Sequence, residues 1–435
     1  MAQRRKAELL SPAGDWSKLR SAVLYGADAV YLAGRQFGMR AASANFDGDE
    51  LMAAVRWCHG RGVKVYVTVN VMPHTPEYPE LKRYLRFLRD VGADAVIVSD
   101  IGVVMLLRDE IPGLEFHIST QASAVSAEAC AAWHRLGAKR VVLARELTLD
   151  EIREIRKNIP EDLELECFIH GAMCVAYSGR CLLSNYFTGR DGNHGQCAQS
   201  CRWHYRPAEP DGVMRLDLHE ELREEITTAV RAEEEPNGET FFMSSKDMCM
   251  LEHIPELEEA GISSYKIEGR VKSAYYTAVV TNAYRMALDT YRADPENYRF
   301  DPRWMRELCS VSHREYGTGF YFSKPSEDAN TVTRHGYLRD KAYLAAAVTD
   351  SGEPDENGLY DAVFSQRNKM KTGDCAEIIS PGRVGIPFRA DPILSRAGDP
   401  IDSTPHPGMY FRLKVPCPVK KGDIVRAGEE ARYAD

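Results

Sequence analysis

VGADAVIVSD, residues 91–100, contains the pattern that decides the fold. A Gly-Ala pair precedes a short apolar run, and the run ends in polar residues. A glycine at this point suits the left-handed residue that follows a helix, and the apolar run suits a strand buried on both faces. Similar stretches occupy residues 25–34, 60–70, 136–146 and 260–270. The repetition indicates successive βα units.

Three more apolar runs complete the set of strands. They are AELLSP at 7–12, LEFHISTQ at 114–121 and LELECFIHG at 163–171, and amphipathic segments separate many of the eight runs. Eight βα units over roughly 270 residues predict a (β/α)8 TIM-like barrel. An open doubly wound sheet is the alternative. It is less favoured because no glycine-rich phosphate-binding fingerprint opens the chain.

The chain changes character toward its C-terminus. We assign residues 1–290 to the barrel domain, with a cysteine-rich segment at 167–250 inserted before the last strand. Residues 291–334 form a predicted linker with one short helix. Residues 335–435 contain short alternating runs separated by Gly, Pro, Asp and Asn, which predict a small antiparallel β-barrel.

Composition limits the possible partners. The 435 residues include 55 Lys and Arg against 64 Asp and Glu, for a net charge of −9. This balance argues against a uniformly basic nucleic-acid-binding surface but permits a local positive patch. The sequence has no apolar run long enough to span a membrane and no signal-peptide pattern, so we expect a cytoplasmic protein. In a reducing compartment, clustered cysteines are more often metal ligands or catalytic groups than disulfides.

Polar residues are expected at the carboxyl ends of the strands, where barrel enzymes carry out their chemistry. Exposure to water alone is the competing explanation for any single one of them. The candidates are Glu8, Ser11, Asn70, Asp100, Ser119, Gln121, Arg145, Glu146, His170, Lys266, Glu268 and Arg270.

Four of the eleven cysteines, Cys174, Cys181, Cys197 and Cys201, fall within 28 residues. A further cysteine, Cys249, lies in the stretch SSKDMC. Their spacing lacks the two close pairs of a structural zinc site, whereas iron–sulfur clusters accept scattered thiolates. The alternative is that they are small buried apolar residues.

Arginines surround these cysteines. Between residues 170 and 206 the only acidic residue is Asp191. The four arginines of this interval form what we call the basic collar: Arg180, Arg190, Arg202 and Arg206. We expect Arg190, Arg202 and Arg206 to bind RNA.

Six stretches together resemble the collagenase-like peptidase family of unassigned catalytic type. They are ELLSPAGD, ECFIHGAMCVAYSGRCLLSNYFTGRD, QCAQSCRWHY, SSKDMC, YKIEGRVKS and SHREYGTGF. The family includes hydroxylases of tRNA, of ribosomal RNA and of ubiquinone precursors, and the tRNA branch is the most similar. The resemblance implies an oxygen-independent hydroxylation supported by prephenate and a [4Fe-4S] cluster. It equally implies the older peptidase label.

The residues favour hydroxylation over peptide hydrolysis. The chain contains neither GxSxG nor HExxH, although a Cys–His pair using His170 or His194 remains open. We therefore expect a tRNA hydroxylase that converts the wobble uridine to 5-hydroxyuridine. The alternatives are a peptidase, a hydroxylase of ribosomal RNA or a quinone precursor, and a cluster-bearing partner of a second, similar subunit.

The resemblance also suggests roles for individual residues. Cys174, Cys181 and Cys197 are expected cluster ligands, with Cys249 as the fourth and Cys201 as its alternative. Guanidinium groups bind carboxylates through paired hydrogen bonds. The candidates for binding an anionic cosubstrate are therefore Arg145, Arg180 and Arg270, with Lys266 as a further cation.

Two residues are candidates for the catalytic step. His170 could move a proton near neutral pH, and Glu268 could orient the cations. Salt bridges at the barrel rim and a structural histidine are the competing interpretations.

Overall fold

Eight parallel strands close into a barrel in the computed structural model, which describes residues 6–39, 44–203, 214–219, 225–230, 244–323, 337–338 and 341–429. For residues 214–219 and 225–230 only the backbone is described. The first seven barrel strands are β1 (Glu8–Pro12), β2 (Ala29–Leu32), β3 (Lys64–Val69), β4 (Ala95–Val98), β5 (Phe116–Ile118), β6 (Arg140–Val142) and β7 (Glu164–Ala172).

The chain then leaves the barrel before its last strand. It forms an antiparallel pair, β8 (Met214–His219) with β9 (Glu225–Val230), and then β10 (Asp247–Cys249), which lies antiparallel to the end of β7. The eighth barrel strand, β11 (Ser264–Ile267), pairs in parallel with both β1 and β7. These two pairings close the barrel, confirm the predicted (β/α)8 fold and exclude the open sheet.

Helices follow most of the strands. Asp47 and Thr148 begin α2 and α6 with capping boxes, and Gly92 after α3 has φ +81°, as the repeated Gly-Ala pattern predicts. No helix of the described ranges is both long and apolar enough to cross a membrane. The helices are α1 (Trp16–Leu24), α2 (Gly48–His59), α3 (Tyr78–Asp90), α4 (Ile101–Glu110), α5 (Ala127–Arg135), α6 (Leu149–Lys157), α7 (Leu183–Thr188), α8 (Ile254–Glu259), α9 (Ala274–Ala293) and α10 (Pro302–Cys309).

The predicted linker contains α10, and its short strand β12 (Tyr316–Gly317) pairs with β10. Helix α9 continues to Ala293, past the predicted end of the barrel domain at residue 290. Residues 324–336 and 430–435 of the predicted linker and C-terminal domain lie outside the described residues.

The C-terminal part forms a separate antiparallel sheet, as predicted. Its order is β16-β15-β20-β13-β14-β19-β17-β18, with its own core around Phe364 and Phe411. The strands are β13 (Tyr343–Ala347), β14 (Tyr360–Gln366), β15 (Cys375–Ile379), β16 (Ile386–Arg389), β17 (Ile393–Ser395), β18 (Pro400–Ile401), β19 (Tyr410–Val415) and β20 (Ile424–Ala427).

Candidate active site

The ends of β7 and β11 meet at the carboxyl mouth of the barrel. Gly171 has φ +104°, and a Cβ there would lie 2.4 Å from the Glu268 carbonyl oxygen, so only glycine permits this approach. Tyr276 donates a hydrogen bond to the same carbonyl at 2.9 Å. The backbone after β7 is thereby held beside Glu268 and the residues that follow it.

The segment after β7, residues 173–203, forms what we call the cysteine loop. Cys174 and Cys197 are exposed, whereas Cys181 and Cys201 are partly buried. Burial raises the pKa of Cys201, Arg202 lowers it, and the three other thiols of the loop raise it. The Gln199 amide donates to Cys197 Sγ at 3.4 Å. The four thiols therefore share one electrostatic environment.

Cys249 has different neighbours. It lies in β10 opposite His170, and the Tyr284 hydroxyl donates to its Sγ at 3.9 Å. Burial raises the pKa of Cys249 to about 12. The nearby thiol of Cys309, and not a thiol of the cysteine loop, adds to this shift. Of the two residues considered for the fourth ligand, Cys201 lies in the cysteine loop with the other three cysteines, and Cys249 lies in the barrel wall. The preference for Cys249 stays a prediction, and its thiol is buried in the core.

The donors of the loop suit an iron–sulfur cluster in their chemistry. Four thiols, the Arg202 guanidinium and a backbone amide supply ligands and stabilising positive charge. As placed, however, no three His, Cys, Asp or Glu side chains within the described ranges are close enough to hold a metal ion. Cluster ligation would require the exposed thiols to converge further.

A cavity of about 240 Å³ lies between the cysteine loop and the barrel mouth. Arg202 donates to Gln199 Oε1 at 2.8 Å and to the Tyr337 hydroxyl at 3.2 Å. Lys272 lies 4.4 Å from the Tyr337 ring centroid and donates to the Ser312 carbonyl at 2.9 Å. Burial lowers the pKa of Arg202, but Tyr337 and Asp247 raise it on balance, so this guanidinium stays charged. Arg202, Lys272 and Glu268 therefore line one cavity, and Arg202 also interacts electrostatically with the thiols of Cys174 and Cys201.

The four predicted anion-binding residues have separate locations. Arg145 donates to the Ala172 carbonyl at 2.8 Å and to Ser178 Oγ at 2.7 Å, which ties β6 to the cysteine loop. Arg270 is buried and donates to Thr68 Oγ1 at 2.9 Å. Lys266 is buried inside the barrel. Only Arg180 of the four is exposed.

Lys266 belongs to an ionic network in the barrel interior. It donates to Glu166 Oε1 at 2.7 Å, and Arg140 contacts both Glu166 and Glu8. Burial raises the pKa of Glu166, but Lys266 and Arg140 outweigh burial and lower it to about 2. Glu8 is the first residue of β1, so it lies at the amino end of the barrel. The prediction that Glu8 lies at the carboxyl mouth was wrong, because β1 begins at Glu8 and reaches the mouth only at Pro12.

His170 is enclosed by the rings of Tyr276, Tyr284 and Tyr316, with centroids 5.3–5.9 Å away. Its Nδ1 lies 3.4 Å from the Tyr284 hydroxyl, and its buried Nε2 has no hydrogen-bond partner in the described part of the chain. Burial lowers its pKa to about 3, although Asp247 opposes the shift. The imidazole is therefore neutral near pH 7, which favours the structural interpretation.

The pKa shifts of Cys249 and His170 test one form of the peptidase hypothesis, a catalytic Cys–His pair that uses His170. A thiol protease needs a thiolate activated by its histidine. Burial keeps Cys249 a thiol and His170 a neutral imidazole, the opposite of an activated pair. His194 lies in the cysteine loop, where its Nε2 is 3.4 Å from Glu77 Oε1.

The basic collar is described only in part. Arg180 and Arg190 are exposed on the cysteine loop, Arg202 lines the cavity, and Arg206 lies outside the described residues. The structure adds exposed aromatic side chains that the sequence interpretation missed. Tyr186 is 81% exposed, and Phe187 lies 5.2 Å from it and 6.2 Å from Trp203 between ring centroids. SNYF and CRWHY contributed to the family resemblance only as parts of longer motifs, and no role was predicted for their aromatic side chains.

A buried ion pair explains why two of the quoted motifs matter. Arg314 of SHREYGTGF donates to Asp247 Oδ1 of SSKDMC at 2.8 Å, and both side chains are 1% exposed. Arg314 also donates to Ser244 Oγ at 3.0 Å. Lys272 and Tyr337 were likewise not singled out, although Lys272 lies in YKIEGRVKS. Lys272 could have been predicted from the sequence as a site residue, because it follows the last barrel strand at the carboxyl mouth.

Comparison with known proteins gives consistent matches. Residues 14–331 match the model described as peptidase family U32, and residues 344–426 match the peptidase family U32 C-terminal domain. The chain is 36% identical to tRNA hydroxylation protein P1 of Bacillus subtilis (strain 168), over 98% of this chain and 96% of that protein.

Two further relatives have different names. The chain is 38% identical to the 23S rRNA 5-hydroxycytidine C2501 synthase of Escherichia coli (strain K12), over 65% of this chain and 39% of that protein. It is 30% identical to a protein named collagenase of Porphyromonas gingivalis (strain ATCC BAA-308 / W83), over 78% of this chain and 80% of that protein.

Proposed function

The chain belongs to peptidase family U32, and we propose that it is an RNA hydroxylase that converts the wobble uridine of tRNA to 5-hydroxyuridine. Relatives named for tRNA hydroxylation and for 5-hydroxycytidine synthesis support hydroxylation of an RNA base. A relative that aligns over nearly the whole chain carries the tRNA name, which supports tRNA as the substrate.

The observation that carries the proposal is the cavity between the cysteine loop and the barrel mouth. It is lined by two cations, Arg202 and Lys272, and by Glu268, and the thiols of Cys174 and Cys201 interact electrostatically with Arg202. The cations suit the carboxylates of a cosubstrate such as prephenate. Glu268, whose carboxylate accepts a hydrogen bond from Tyr31 at 3.4 Å, lines the same cavity.

The exposed rings of Tyr186, Phe187 and Trp203 support a single-stranded RNA substrate. Proteins bind unpaired bases by stacking them on aromatic side chains, at about 1–3 kcal/mol for each base. A base in a loop costs little to unstack, and an anticodon loop presents such bases. Arg180 and Arg190 on the same loop can contact the neighbouring phosphates.

For the cofactor we propose a [4Fe-4S] cluster held by Cys174, Cys181, Cys197 and Cys201. When bound, the cluster would supply electron transfer or hold an anionic cosubstrate. The chain's own residues then bind and orient the reactants: Arg202 and Lys272 fix carboxylates, and the aromatic rings hold the base. The neutral state of Cys249 and His170 argues against a thiol-protease reaction at this position.

The function is tested by nucleoside analysis. Purified protein should form 5-hydroxyuridine on unmodified tRNA under anaerobic conditions only when prephenate is added. Deleting the gene, together with any overlapping pathway, should remove 5-hydroxyuridine and its derivatives from cellular tRNA. Persistence of these nucleosides in such a strain would contradict the proposal and direct the test to ribosomal RNA and quinone precursors.

The ligand set is tested by serine substitutions and iron analysis. Cys174→Ser, Cys181→Ser, Cys197→Ser and Cys201→Ser should each reduce bound iron sharply. Cys249→Ser should retain iron, and Cys130→Ser, at another buried cysteine in α5, is the matched control. Loss of iron in Cys249→Ser with retention in Cys201→Ser would return the fourth ligand to Cys249.

A further inference from the structure

A second, larger cleft lies between the barrel and the C-terminal sheet. Its volume is about 1680 Å³, and its lining includes α1 and α9 residues, the amino ends of β1 and β3, and residues near β13, β14 and β20. The two domains meet at its edge, where Tyr25 donates to the Ile379 carbonyl at 2.9 Å. This cleft opens away from the carboxyl mouth of the barrel.

The charge of this cleft is opposite to that of the whole chain. Eight cationic side chains line it against three acidic ones, although the protein carries a net charge of −9. The acids already have partners: Glu8 contacts Arg140, while Asp28 and Asp289 lie 3.0 and 2.8 Å from Arg285. The lining acids therefore neutralise little of the remaining positive charge.

Six cations of the lining have no carboxylate within ion-pair distance in the part of the chain that the structure describes. All six are exposed, and they come from both domains: Lys6, Arg20, Arg61, Lys64, Arg367 and Lys421. Surface cations are usually interspersed with acids, so an unbalanced row along a concave surface concentrates positive potential. Arg61 also lies 4.1 Å from the Trp57 ring centroid, which restricts its guanidinium.

We propose that this cleft binds the sugar-phosphate backbone of the RNA substrate at a distance from the base that is modified. The inference rests on the proposed function, because it takes RNA as the substrate. Exposed cations spread over two domains suit a row of phosphates, whereas a small anion is usually held in a smaller, more enclosed site. The cleft and the barrel mouth lie at opposite ends of the strands. Only an RNA larger than an isolated loop can reach both.

The test compares two RNAs and two double variants. Lys64→Glu combined with Lys421→Glu reverses one cation in each domain. Arg83→Glu combined with Arg86→Glu on α3 makes the same change in net charge at exposed residues outside the cleft. Affinity is measured for full-length tRNA and for the isolated anticodon stem-loop over a range of salt concentrations.

The cleft variant should bind full-length tRNA about tenfold or more weakly, and its salt dependence should fall by about one unit for each phosphate that the variant no longer binds. Its affinity for the stem-loop should not change. The α3 variant should match the wild type with both RNAs. Circular dichroism should show that both variants are folded.

Each other outcome has a definite meaning. Wild-type protein that binds neither RNA would contradict the proposed function itself. Wild-type binding with an unaffected cleft variant would overturn only the cleft proposal, and so would an equal weakening for both RNAs. Unchanged tRNA binding together with loss of a copurifying acidic protein would reassign the cleft to a protein partner.

Discussion

His170 shows how burial decides what a single residue can do. Its folded pKa, about 3, lies below the ordinary value, so the folded state disfavours the protonated ring. The unfolded chain binds the proton more readily, and stability is therefore lost as pH falls below about 6.5 toward 3. Replacing His170 removes this contribution. The three surrounding tyrosine rings should accept a phenylalanine in its place.

We predict that the stability of the wild type falls relative to His170→Phe by up to about 1.4 kcal/mol per pH unit between pH 6 and 4. Denaturant unfolding at several pH values measures the difference. His406→Phe, at an exposed histidine, is the control and should show no such trend. A difference between wild type and His170→Phe that is constant with pH would show that folding does not change the protonation of His170.

For single residues, the sequence identified which side chains are polar and lie near strand ends, but it did not show which way each side chain points. Lys266 was expected at the mouth because it lies near the end of a strand, but its side chain points to Glu166 inside the barrel. Side chains alternate along a strand, and the face that each occupies depends on pairing register, which is a tertiary property.

The cysteine loop is an element whose position depends on few contacts. Arg145, three residues beyond β6, holds it through the Ala172 carbonyl and Ser178 Oγ. A lysine keeps the charge but cannot make both hydrogen bonds in this geometry. We predict that Arg145→Lys lowers the local opening free energy of the loop by about 1.5–3 kcal/mol while the barrel strands change little. Hydrogen exchange of residues 173–203 measures the effect.

Two variants serve as comparisons for this prediction. Ser178→Ala removes one of the two hydrogen bonds and should produce a smaller increase in exchange. Arg153→Lys alters a surface ion pair with Asp150 and should leave the loop unchanged. If exchange in the loop were the same in Arg145→Lys and wild type, other contacts would be holding the cysteine loop.

At the level of elements, the eight barrel strands could be predicted because each is an apolar run with a helix-ending glycine or a similar boundary. The short strands β10 and β12 could not, since each has two or three residues and exists only through pairing. The pair β8–β9 falls in the segment at 167–250 that was assigned only as cysteine-rich, where charged residues obscure alternation.

For the whole molecule, the sequence indicated two domains but not how they join. Arg426 of β20 makes the central contact. It is 2% exposed and donates to Glu377 Oε2, Ser310 Oγ and Glu307 Oε1 at 2.6–2.8 Å. Glu307 and Ser310 belong to α10 and its end, whereas Glu377 lies in β15. These residues lie about 50 to 120 positions from Arg426, and no local pattern links positions so far apart.

Arg426→Ala should destabilise the protein by about 3–5 kcal/mol, because it leaves the buried Glu307 carboxylate without its guanidinium. The Arg412–Asp361 pair is partly exposed, so Arg412→Ala should cost at most about 1 kcal/mol. Denaturant unfolding followed by probes in each domain measures both effects. If Arg426 couples the domains, its loss should also separate one transition into two. An Arg426→Ala protein that unfolds in one transition, with the stability of Arg412→Ala, would show that the apolar contacts between the domains suffice without this ionic network.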